Sequence, residues 1–252
     1  MTGSRTAFER HLLVAVDAVG YGRGNDQDHF ALQSGLKSIL NEAASAAKLD
    51  RSRWSLQGAG DGELAIVPRD EPEPLVVDAY ARQLDVQLTA YNAALPTERR
   101  IRLRMAVHFG AAMPAENGYA GQGVVAVSRL VDSTPVREAL KAAPDAALVL
   151  ALTRQVFDDV VRQGHVSFAE ADFTRVLVHL KEFQDEAWIK VFGTQSVAAP
   201  DGVGNLDGQG KAAAEPQDHR KPDAAASFVQ HFHDTDARGS VFGISYGGVG
   251  GI

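Results

Sequence analysis

His11-Leu12-Leu13-Val14-Ala15-Val16-Asp17 is an uninterrupted apolar run of strand length that ends on a carboxylate, and Ala18-Val19-Gly20-Tyr21-Gly22 then turns the chain. Such a run, closed by a glycine-rich turn, reads as a strand buried within a sheet. Asp17 therefore stands at a strand end, where a hard cation can be held together with nearby backbone carbonyls. Outward from this strand, residues 26–48 contain no proline and place Phe30, Leu36, Ile39 and Leu40 at helical spacing. Residues 54–67 read as two strands joined by the turn Gly58-Ala59-Gly60-Asp61-Gly62. Past Pro72 and Pro74, Val76, Tyr80, Leu84, Leu88 and Tyr91 form a helical stripe over residues 75–94.

In residues 101–109, Arg102 and Arg104 alternate with Leu103 and Met105, a strand pattern. Residues 123–140 read as a helix broken at Pro135, 147–152 as a strand, 154–162 as a helix, and 175–181 with 188–192 as a closing hairpin. The order β-α-β-β-α-β-α-β-α-β-β predicts an α+β domain with helices against one face of a largely antiparallel sheet. That domain is expected to span residues 8–193. Residues 194–227 are rich in Ala, Gly, Asp, Gln and Pro and are expected to form a flexible linker. A short segment, 228–252, follows; its glycine-rich end has the composition to add a strand to a partner's sheet.

Composition bounds the function. Of 252 residues, 45% are hydrophobic and 23% charged, as in ordinary globular domains. A net charge of −7 argues against a general nucleic-acid binder, which needs basic surface to displace counterions. The absence of cysteine removes disulfides, thiolate zinc sites, iron–sulfur clusters and cysteine nucleophiles together. No run approaches the ~20 apolar residues of a membrane span, and residues 1–10 lack an apolar signal core. A cytoplasmic protein is expected.

The hairpin turn puts Asp61 beside the first strand, so two carboxylates converge, and such a pair calls for a cation between them. Taken singly, each aspartate is an ordinary turn residue, Asp-Gly being a common hairpin pair. Gly20, Gly22 and Gly24 follow G-x-G-x-G rather than the dinucleotide pattern. His231, His233 and Asp234 lack a fourth ligand for a metal site.

Leu12-Leu-Val-Ala-Val-Asp17-Ala-Val-Gly-Tyr, Gly60-Asp61-Gly-Glu-Leu-Ala-Ile, Arg102-Leu-Arg104-Met-Ala-Val-His108-Phe-Gly110 and Gly121 through Ser128-Arg129-Leu130 occur in that order. In order and spacing they resemble the class III nucleotidyl cyclases over residues 10–192. Together with Val160-Val-Arg and Glu186-Ala-Trp188-Ile, they are most similar to the pyrimidine cyclases of Pycsar antiphage defence. The resemblance implies a ferredoxin-like cyclase domain assembled as a head-to-tail homodimer with interfacial active sites, to which the composition after residue 193 adds an expected disordered C-terminal extension. It implies two Mn²⁺ or Mg²⁺ ions per site on Asp17, Asp61 and the Ala18 carbonyl. By the same resemblance Arg104 contacts the triphosphate, Lys181 holds its terminal phosphates, and Arg129 is the transition-state arginine given by the other subunit. The implied substrate is a nucleoside triphosphate, UTP before CTP, and the implied product is a cyclic nucleotide that switches on a downstream effector.

Two positions depart from the pattern. Val125 stands where the family has an asparagine that orients the ribose. Gln57 stands where purine cyclases carry a lysine or glutamate that reads the base, and Gln122 at another base-reading position. A neutral amide both donates and accepts, which suits the mixed edge of uracil or cytosine. Trp54 is a candidate to stack on a one-ring base, or else a core residue. His108 reads as a strand residue packed behind the site.

Overall fold

A computed structural model of the chain describes residues 9–19, 25–116, 118–180 and 183–193. Nine strands and five helices occur among them. Strands β1 (Arg10–Ala18), β2 (Ser55–Ala59), β3 (Gly62–Ile66), β4 (Leu103–Ala111), β7 (Leu148–Thr153), β8 (Thr174–Leu180) and β9 (Phe183–Val191) form one sheet in the order β2-β3-β1-β4-β7-β9-β8. Its neighbours are antiparallel except β4 and β7, which run parallel. Strands β5 (Met113–Ala115) and β6 (Gly118–Ala120) make a separate small hairpin that the sequence pattern did not predict.

Helices cover both faces of the sheet, not one as the element order suggested. Leu12, Val14, Val16 and Ala18 of β1 enter a cluster with Leu36, Ile39, Leu40 and Ala43 of α1 (Asp26–Ala46) and Leu84 and Leu88 of α2 (Ala81–Ala93). Leu13 and Ala15 enter the opposite cluster, with Val124, Val127 and Leu130 of α3 (Gln122–Val131) and Val136 and Leu140 of α4 (Thr134–Ala142). The unbroken apolar run of β1 records this: a strand with polar residues on neither face is buried on both. The apolar stripe of α1 also lies further along than predicted, continuing to Ala43, Ala44 and Ala47, while Phe30 is 73% exposed.

A stretch with i→i+5 hydrogen bonding, Leu75–Tyr80, leads into α2. Val76, Tyr80, Leu84 and Leu88 recur every four residues, longer than the 3.6-residue α-turn. The wider turns of this stretch keep the stripe on the sheet instead of letting it rotate away. A similar stretch, Phe157–Val161, continues α5 (Arg154–Val156). The break predicted at Pro135 falls at Asp132 and Ser133; the proline sits in the first turn of α4, where its missing N–H costs nothing.

Helix α3 lies close against β4. A Cβ on Gly123 would meet the Ala111 carbonyl at 2.8 Å, and one on Gly110 would meet Gly123 Cα at 2.8 Å. Gly121 caps α3 at φ 139°, a conformation open to glycine. Among the described residues no helix is long and apolar enough to cross a membrane. Lys181, Gly20, Gly22, Gly24, the expected linker 194–227 and the expected terminal segment 228–252, with His231 and His233, lie outside the described residues.

Candidate active site

Side chains alternate along a strand, so Asp17 shares the α3 face with Leu13 and Ala15, and Arg104 shares it with Ala106. The β1–β4 register sets Asp17 directly opposite Arg104. Their side chains form an ion pair, with 12% of Arg104 and 16% of Asp17 exposed.

Asp61 arrives from the other side. Strands β2 and β3 are joined by the two-residue turn Gly60-Asp61, tighter than the five-residue turn read from sequence, with Gly60 at φ 56°. At Gly62 the hairpin passes so close to β1 that a Cβ would lie 2.6 Å from the Val16 carbonyl. The Ala18 N–H donates to the Asp61 carbonyl at 2.9 Å. These backbone contacts bring the two sequence-predicted aspartates to one end of β1.

A third carboxylate, which sequence reasoning missed, belongs to the cluster. Asp132, at the break between α3 and α4, lies 3.6 Å from an Arg104 guanidinium nitrogen and also takes the Arg137 Nε at 3.0 Å. Burial raises the Asp17 pKa, the charges of Asp61 and Asp132 add to that, and Arg104 opposes it. Burial outweighs the Arg104 charge, so the net shift at Asp17 is upward. Arg104 Nε is buried without a hydrogen-bond partner, so the guanidinium retains donor capacity that this arrangement does not use.

These donors fit a hard divalent cation in type. The described residues contain no group of three acidic or histidine side chains arranged for an ion. Mg²⁺, however, is commonly held by one or two carboxylates, with substrate phosphates and water filling the other positions. Asp17 and Asp61 are two such carboxylates.

The remaining predicted residues divide. Gln57 points to the α3 face, paired in register with Leu64, and its side-chain oxygen accepts the Tyr119 N–H at 3.3 Å. Gln122, exposed, and Val125 and Arg129, half-buried, stand at i, i+3 and i+7 on α3 and belong to neither apolar cluster. Trp54 is a correction. It precedes β2 rather than lying on the same strand as Gln57, enters the α1-side core, is 5% exposed and meets Tyr80 edge-on at 5.5 Å. The sheet separates it from Gln57, so the two do not frame one base. His108 is a strand residue, with Nδ1 3.2 Å from Thr153 Oγ1.

Arg102, alternating with Arg104 in sequence, does different work. Its guanidinium donates to the carbonyls of Ala146 at 2.7 Å, Leu140 at 2.5 Å and Ala143 at 2.6 Å, closing the C-terminal end of α4.

Among solved structures, an adenylate/guanylate cyclase/hydrolase from Silicibacter pomeroyi superposes with a TM-score of 0.52 at 19% identity, over 73% of this chain and 99% of that one. The fold is that of a nucleotidyl cyclase domain. The guanylyl cyclase Cya2 shares the cyclase fold with a TM-score of 0.51 at 11% identity, over 76% of this chain and 96% of its own. A bacterial light-regulated adenylyl cyclase gives 0.50 at 15%, over 76% of this chain, which spans about half of that protein (54%). No protein-family profile and no curated protein matches the chain. The α+β cyclase fold implied by the sequence resemblance is thus the fold observed.

Proposed function

We propose that this chain is a pyrimidine nucleotide cyclase that converts UTP into 3′,5′-cyclic UMP and pyrophosphate. One observation carries the reading: on a cyclase fold, Asp17 and Asp61 converge at the end of β1 beside Arg104. In the reaction the ribose 3′-oxygen loses its proton and bonds to the α-phosphorus in line with the bond to the β-phosphate oxygen. That bond breaks, and pyrophosphate leaves with its electron pair.

Asp17, Asp61 and the Ala18 carbonyl are the groups that would hold two Mn²⁺ or Mg²⁺ ions. Such ions, when bound, acidify the attacking hydroxyl and neutralise the leaving group. Arg104 then turns from Asp17 to the triphosphate, with Asp132 still within reach of its other nitrogen, and Lys181 takes the terminal phosphates. Arg129 of the partner subunit stabilises charge on the α-phosphate with fixed donors. The free stripe of Gln122, Val125 and Arg129 on α3 supports a site completed across a homodimer. Gln57 supports a pyrimidine base, because an amide can match the mixed donor and acceptor edge of uracil or cytosine. By resemblance to the Pycsar cyclases, the product is an antiphage messenger acting through a separate effector.

The test is incubation of the purified protein with all four ribonucleoside triphosphates and Mn²⁺, followed by mass spectrometry. A single cyclic pyrimidine nucleotide is expected, and EDTA, Asp17→Asn or Asp61→Asn should reduce it by about 10²-fold or more. A cyclic purine product, or turnover untouched by both substitutions, would refute the proposal.

Val125 favours a second reading, a cyclase-like domain that binds nucleotide or a partner with little turnover. An apolar side chain cannot supply the ribose hydrogen bonds of asparagine. If this reading holds, Val125→Asn raises turnover by at least about tenfold, the worth of one hydrogen bond of ~1.4 kcal/mol. An unchanged rate with an active parent protein rejects it.

A further inference from the structure

On the sheet face opposite Asp17 and Arg104, α1, the turn after it and the edge strand β2 border an open groove of about 670 Å³. That is within the usual range of roughly 300–1,000 Å³ for small-molecule sites. Its lining brings Lys37, Lys48 and Arg51 together with a single acid, Asp50. Asp50 is engaged elsewhere: its carboxylate accepts from Ser52 N at 3.2 Å and Ser52 Oγ at 2.6 Å in its own turn. Lys37 and Lys48 are exposed, and among the described residues neither ammonium meets an acid. Lys48 is held at φ 61°, a left-handed conformation that L-residues with a side chain rarely adopt.

Beneath the lysines lie two donors without acceptors. Trp54 Nε1 and Arg51 Nε are buried and unpaired, in residues 5% and 6% exposed. Both atoms are closed to solvent in the floor of the groove, where the Arg51 side chain also meets the Tyr80 hydroxyl, so the donors open to a ligand are the two lysines above them. Arg51 is otherwise fixed by Asn41 and Glu63, which hold it in place under the groove. Leu49, Trp54 and Leu56 add an apolar wall, with Leu56 42% exposed. With Arg51 neutralised by Glu63, the lining sets Lys37 and Lys48 against Asp50 and is modestly positive on a chain of net charge −7. Its complement is an anion with many acceptor oxygens and an apolar part.

We propose that this groove binds a phosphorylated small molecule, with phosphate oxygens at Lys37 and Lys48 and the apolar part against Leu56 and Trp54. The site is separate from the candidate active site and does not depend on turnover there. Isothermal titration calorimetry in EDTA, which removes divalent ions from both probes, tests it with inorganic pyrophosphate and with uridine 5′-monophosphate. Saturable binding of at least one probe is expected, weakened tenfold or more in the Lys37→Ala/Lys48→Ala double variant, whose replaced side chains are exposed and whose fold circular dichroism checks. Tighter binding of the monophosphate than of pyrophosphate assigns the ligand as a nucleotide, and the reverse order assigns it as a bare phosphate species. No saturable heat with either probe, or equal binding by the double variant, overturns the proposal.

Discussion

His108 stands on β4 near Arg10, and burial pulls its pKa down to about 4, with Arg10 lowering it further and Asp185 opposing. In the unfolded chain the imidazole titrates near its ordinary value of about 6.5. Above that pH both states are neutral and the full stability is present. As pH falls below it, the unfolded chain binds the proton first, so stability declines until the folded pKa is passed. The loss amounts to about 2–3 kcal/mol by pH 4.5. Urea unfolding of wild type and His108→Gln at pH 7.5 and 4.5 checks this: wild type should lose more than the variant by about that amount. Legibility at this scale follows from locality. Asp17 and Asp61 were readable because each sits at a local signal, the end of an apolar run and a Gly-Asp-Gly turn. Asp132 carries no such signal; only the crossing of α3 over β4 brings it to Arg104. Trp54 and Gln57 were readable in principle, since residues three apart in extended chain face opposite ways.

Arg102 shows how an element is placed. The last carbonyls of a helix have no partner within it, and at α4 the Arg102 guanidinium, just ahead of β4, satisfies three carbonyls at and just beyond its end. Arg102→Met should cost about 2–3 kcal/mol, the order expected for unpairing partly buried carbonyls. Hydrogen exchange should show the loss as faster opening of α4 and its junction with β7, and Arg102→Lys should recover part of it. The alternation of Arg102 and Arg104 identified a strand but not the division of labour between two like residues on one face. Most elements were legible from periodicity, because long amphipathic helices and apolar strands carry their pattern within the segment. The β5–β6 hairpin was not, since three-residue strands offer no period to read. The second helical layer was misplaced because element order does not say which face a crossover takes, although the unbroken apolar run of β1 did.

Across the whole molecule, the outer stripe of α3 and the cluster around Asp17 lie on the same sheet face, the arrangement that the proposed shared site would use. That arrangement predicts a mixing result. If Asp61 of one subunit works with Arg129 of the other, Asp61→Asn and Arg129→Ala are each inactive alone. Co-refolded in equal amounts, they should regain about a quarter of wild-type activity: half of the dimers are mixed, and each mixed dimer has one intact site of two. No recovery, with mixed dimers demonstrated, would place both residues in one subunit's site.

The pairing of Asp17 with Arg104 spans 87 residues of chain. At roughly 5–20 residues per second, a ribosome takes about 4–17 s to add that much polypeptide. Through that interval β1, among the most apolar segments of the protein, has emerged while its central neighbour β4 is still unmade. The β2–β3 hairpin, which follows within the same interval, protects only one of its edges. The other edge stays open on the nascent chain until β4 is made, so an unpaired apolar strand edge precedes the Asp17–Arg104 pair in time.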